Sequence, residues 1–138
     1  MQSNSEKHPS KKRTWSGRVM TGLASLFLFA DGVAKLFKPA PVIEGTITLG
    51  YQESVIVPLG IVLVTCTILY VFPRTAVLGA ILLTGYLGGA VATHVRVGDP
   101  LFSHVLFPVY LGILICGGLY LRDGRLPRLI PLRSSYGL

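Results

Sequence analysis

Asp31 and Lys35 stand four residues apart in an otherwise apolar stretch, and His94 and Arg96 close another. Few other residue types in this chain could do chemistry inside a membrane. A spacing of four puts Asp31 and Lys35 on one helix face with Ala24 and Phe27, where carboxylate and ammonium can pair. An acid inside an apolar span is a candidate for ligand binding or proton transfer. Pairing is the structural alternative, because Lys35 neutralises the charge and its long side chain reaches the interface. Quinone chemistry needs a proton donor beside an apolar slot, and histidine and aspartate both serve. His94 and His104 have no fixed ligand spacing, so no metal site is expected.

Four apolar spans must position these residues, at about 15–37, 54–72, 75–96 and 104–121. Crossing a hydrocarbon core of about 30 Å at 1.5 Å per residue takes roughly 20 helical residues. The expected fold is all-α, a transmembrane four-helix bundle over 15–122. It lies between a disordered basic tail at 1–14 and a second basic tail at 123–138. A cleavable leader is the rival reading of the first span. A small residue is wanted three before the cut, however, where the chain has the large Leu28, and the helical pattern runs on. Charged residues make up only 14% of the chain, against roughly 25% in a soluble domain. The net charge of +7 does not indicate nucleic acid, because Lys and Arg flank the spans instead of forming a basic face. Cys66 and Cys116 lie inside apolar runs at similar depth and carry no metal spacing.

Orientation follows from where Lys and Arg fall. The chain through Arg18, Arg74, and the chain from Arg122 onward hold ten, while the opposite side holds Lys35, Lys38 and Arg96. Both termini are therefore expected in the cytoplasm. Asp31, Lys35, His94 and Arg96 then share the outer level with Glu44, Glu53, Asp99 and His104. Trp15, Tyr51, Tyr70 and Tyr120 sit near span ends, as interfacial aromatics do. Pro39 and Pro41 argue against simple helix continuation in the first outer loop, leaving a brief strand or interfacial turn over 42–48.

The third span carries a row of small residues. Gly85, Gly88, Gly89 and Ala92 would let a neighbouring helix approach closely, in this chain or in a second copy. Helical geometry puts Arg96 on that row and His94 nearly opposite, with Leu83, Leu87 and Ala90. Arg96 is thus expected to face a neighbouring helix and to meet Asp31.

The segments "RTAVLGAILLTGYLGGAVATHVRVGDP" and "LFPVYLGILICGGLYLRD", with "GRVMTGLASLFLFADGVAKLF" in the first span, resemble the DoxX-like family of small four-helix bacterial membrane proteins. The resemblance covers about 15–132. It implies a compact bundle in the bacterial inner membrane and little about activity; the family takes its name from a protein linked to a quinone-dependent sulfur-oxidising or terminal oxidase complex. It supplies no established catalytic residues to carry over. The expected role is an accessory or redox-associated membrane subunit rather than a stand-alone enzyme. Its partners would be the lipid bilayer, redox-complex subunits and, as an open alternative, a second copy. No cofactor ligand set is evident, and quinone is the class the residue types admit. One alternative is a proton-coupled transporter, which needs an unpaired acid near the midplane, whereas Asp31 is off-centre beside Lys35. The other is a quinone- or lipid-binding enzyme with an outer-side polar site.

Overall fold

The computed structural model describes residues 10–126, and the expectations for residues 1–9 and 127–138 lie outside it. Helix α1 covers Lys11–Phe37, α2 Ala40–Thr48, α3 Ile56–Val71, α4 Ala76–Val97 and α5 Phe107–Arg122. Short turns at Glu53–Val55 and Leu101–Val105 lead into α3 and α5. Among the described residues there is no strand. With these leading turns, four helices are long and apolar enough to cross a membrane: Lys11–Phe37, Glu53–Val71, Ala76–Val97 and Leu101–Arg122. The first starts four residues before Trp15. Ser10 caps it by accepting the Arg13 backbone N–H at 3.3 Å, so residues 11–14 form its first turn.

The four spans run alternately up and down. α1 packs on α3 and α5, and α4 packs on the same two, so α1 and α4 are diagonal. The start of α1 meets the end of α5, which puts both ends of the described chain at one end of the bundle. We call this the terminal end and its opposite the loop end.

Close approach between helices is set by glycines other than those the sequence pattern singles out. A Cβ on Gly17 would lie 2.9 Å from Gly118 O and from Arg122 N, so α1 and α5 touch backbone to backbone. Gly32 and Gly60 do the same for α1 and α3, where a Cβ on Gly60 would lie 2.9 Å from Gly32 O. Gly85, Gly88 and Gly89 have nothing within 4 Å of an added Cβ, and Ala92 is exposed. The small row of α4 therefore faces away from the close contacts of this chain. The tightly packed face is that of Leu83 and Leu87, both buried. In a membrane helix the lipid side is as apolar as the core side, so hydropathy gives no direction to correct the small-residue pattern.

The core runs through Leu28, Leu63, Leu83 and Ile115 to Tyr70 near the terminal end. Tyr70 is 0% exposed, so it is a core residue and not the interfacial aromatic expected. Its hydroxyl donates to the Ile115 carbonyl at 2.8 Å and lies 3.2 Å from Thr21 Oγ1, joining α3 to α5 and α1. A buried hydroxyl needs such partners in a setting without water. Trp15, by contrast, is 69% exposed at the terminal end, with Leu26, Ile81 and Ile113 exposed along the spans. Cys66 is buried in the core and Cys116 exposed, and both are free thiols.

The segment over 42–48 is helical, neither strand nor turn. Pro39 occupies the N-cap of α2 and Pro41 its first turn, where the missing N–H has no helical partner to lose and the fixed φ suits the helix.

Candidate functional site

The four spans border a partly open cavity of about 450 Å³ in the loop-end half of the bundle. Phe27, Leu28, Leu87, Phe107 and Leu111 supply apolar walls. Phe27 and Phe107 meet edge to face at 5.2 Å between α1 and α5. Asp31, Lys35, Tyr86, Thr93 and His94 bring polar groups to the same space.

Asp31 and Lys35 reach it from α1. Lys35 Nζ donates to Asp31 Oδ2 at 2.5 Å, with 18% of the lysine side chain and 40% of the carboxylate exposed. The acid thus has its counter-ion within its own helix, which is the reverse of what a proton-exchanging transporter carboxylate requires. Lys38, one turn on, pairs with Glu53 at 2.6 Å across the loop end.

His94 enters from α4, on the face of Leu87 and Ala90. Its Nδ1 lies 2.6 Å from Asp99 Oδ2. This contact depends on how α4 ends. Gly98 takes the left-handed conformation, φ 76°, and its N–H returns to the Val95 carbonyl while that of Asp99 returns to His94 O at 3.1 Å. The reversal carries the Asp99 carboxylate back under the imidazole. An ionised carboxylate only accepts, so Nδ1–H is the donor to Asp99 and the exchangeable position of the ring is Nε2. The His104 ring stands edge-on at 5.9 Å, its own Nδ1 2.7 Å from Ser103 Oγ. Among the described residues no three of His, Cys, Asp and Glu are grouped to hold a metal ion.

Thr46, Leu49 and Tyr51 border the cavity at its loop end. Two tethers hold this segment to α4. Thr93 Oγ1 donates to the Gly89 carbonyl at 2.9 Å, so the Tyr51 hydroxyl, 2.7 Å away, is the donor to Thr93. Arg96 donates from Nη2 to the Leu49 carbonyl at 2.7 Å and lies over the Tyr51 ring at 5.9 Å. Leu49 caps the C-terminus of α2, where a cation suits the helix dipole. Arg96 therefore meets a neighbouring element, but that element is the end of α2. The expected contact with Asp31 is replaced by the Asp31–Lys35 pair.

The structure thus brings Asp31, Lys35 and His94 to one cavity and places Arg96 behind its border, on the Leu49 carbonyl. Gly85 and Gly89 line the cavity as well, where the lack of side chains leaves space. Sequence reasoning missed Tyr51, Tyr86, Thr93 and the Asp99 partner of His94. The signal for Asp99 was present in Gly98, a helix-ending glycine that folds the next residue back.

Fold and cavity together define a multi-pass membrane protein, a four-helix bundle with a polar-headed internal site. Residues 19–118 match the DoxX-like family, and the chain belongs to it. No curated protein and no solved structure matches the chain.

Proposed function

We propose that the protein binds a quinone-class amphiphile in the loop-end cavity, as an accessory subunit of a membrane redox system in the bacterial inner membrane. The observation that carries this reading is the cavity itself. It joins apolar walls to a few convergent polar groups, the composition expected of a small-molecule site, and its size falls within the usual range of roughly 300–1,000 Å³. A quinone head offers carbonyl oxygens that Lys35 can meet as a donor. His94, oriented by Asp99, can accept or return a proton at Nε2. This chain contributes binding and proton handling, and a partner protein supplies the electrons. The Lys and Arg asymmetry between the ends supports cytoplasmic termini, which puts the site in the outer half of the membrane.

The test is a titration of the full-length protein in lipid nanodiscs with a short-chain quinone. Saturable binding is expected, weakened about tenfold by His94→Gln or Lys35→Met. A hydrogen bond to a charged partner is worth roughly 1.5 kcal/mol, which is about a factor of ten. Absence of saturable binding, or binding indifferent to both substitutions, would overturn the proposal.

A further inference from the structure

The terminal end carries a second pocket, separate from the loop-end cavity and opposite in character. It measures about 320 Å³ and is bordered by Thr14 and Arg18 of α1, Pro73 of the turn after α3, and Arg122, Asp123 and Arg125 at the end of α5. Three guanidinium groups thus converge on a space with one carboxylate. That carboxylate is already engaged: Asp123 accepts the Arg125 backbone N–H at 3.0 Å and its Nε at 3.3 Å. Among the described residues no acid pairs with Arg18 or Arg122. Arg122 is held in place from the other side, with Nη2 on the Tyr70 carbonyl at 2.7 Å and its guanidinium 5.1 Å from the centre of the Tyr70 ring. Asp123, already bonded to Arg125, is the single carboxylate beside these three guanidinium groups among the described residues, so the pocket keeps an excess of fixed positive charge, which suits an anion.

The surroundings identify the anion. The terminal end bears Lys11, Lys12, Arg13, Arg18, Arg74, Arg122 and Arg125 against Asp123 alone among the described residues, while the loop end mixes acids and bases. The pocket lies where α3 and α5 end, at the same end of the bundle as the exposed Trp15, a residue type that settles at the headgroup level. A bilayer presents its phosphates at that depth at a far higher local concentration than solution does. Basic pockets between membrane helices bind anionic headgroups for this reason. We infer that this pocket binds the phosphodiester of an anionic phospholipid, with Arg18, Arg122 and Arg125 as its donors and the Thr14 hydroxyl beside them.

The test uses the full chain purified in nanodiscs of equimolar phosphatidylglycerol and phosphatidylcholine, followed by native mass spectrometry of the lipids that remain bound. Wild-type protein retains phosphatidylglycerol in preference to phosphatidylcholine. Arg18→Gln and Arg125→Gln each lower that preference roughly fivefold. Arg122 is kept intact, since it also supports the end of α3, and circular dichroism of both variants checks that the bundle is folded. Equal retention of the two lipids by wild type, or an unchanged preference in both folded variants, would overturn the inference. Displacement of the bound lipid by millimolar inorganic phosphate would overturn the lipid assignment in favour of a soluble anion.

Discussion

Replacing Gly17 by alanine tests which glycines hold the bundle together. The added Cβ would lie 2.9 Å from Gly118 O, from Arg122 N and from Leu121 Cβ. Two of these atoms are backbone and the third is attached to it, so none can rotate away. α5 must move by about half an ångström or more to restore ordinary contact, and overpacking of this kind costs about 1–3 kcal/mol. Alanine returns up to about 1 kcal/mol through helix propensity. With the full propensity gain, the net expectation is a loss of up to about 2 kcal/mol. Gly88→Ala is the control. Its Cβ meets nothing within 4 Å, so only the propensity gain remains and stability is unchanged or rises by up to about 1 kcal/mol. Equilibrium unfolding in mixed detergent micelles, followed by circular dichroism, measures both. If Gly88→Ala were the damaging variant and Gly17→Ala the neutral one, the small row of α4 would be the packing face and the assignment of α1–α5 and α1–α3 as the close contacts would fail.

Two further outcomes follow from single contacts. Arg96→Gln removes the charged donor from the Leu49 carbonyl and the cation over Tyr51; because Arg96 is exposed, the loss is about 1 kcal/mol. It should appear as faster amide hydrogen exchange confined to α2, and unchanged exchange there would remove Arg96 as its anchor. The second concerns acid. Burial pushes the Asp123 carboxyl up, but the Arg125 backbone N–H, the Arg125 guanidinium and the Arg122 charge together outweigh it and hold the group below its ordinary value. A depressed folded value means that its contribution is fully present above the unfolded value of about 3.9 and is lost as pH falls through the folded one. Asp123→Asn should therefore lower stability at neutral pH and flatten its fall below about pH 4, read from thermal unfolding across pH.

The spans were legible because apolar runs of membrane length have few other uses, and the expected boundaries fall within a few residues of the helices. Asp31 and Lys35 were legible for a local reason, since a spacing of four fixes a pair within one helix whatever surrounds it. The face of α4 was not. Gly85 and Gly89 have the same local pattern as a packing seam, and only the partner distinguishes them from Gly17 with Gly118 or Gly32 with Gly60, whose sequence separations are long. α2 was hidden because Pro39 and Pro41 break helices from within but start them from the end. Tyr51 and Thr93, 42 residues apart, meet through tertiary structure alone.

The central claim is that the loop-end cavity holds a quinone-class ligand. Photoaffinity labelling tests it most directly, with a photoreactive quinone added to the full-length protein in nanodiscs and the modified peptides mapped by mass spectrometry. Label is expected on α4 between Tyr86 and His94 and around Asp31 on α1, reduced by excess unlabelled quinone and by Ala90→Trp, which fills the cavity. Label confined to outward-facing residues such as Ile81 and Ile113, unaffected by competitor, would contradict it.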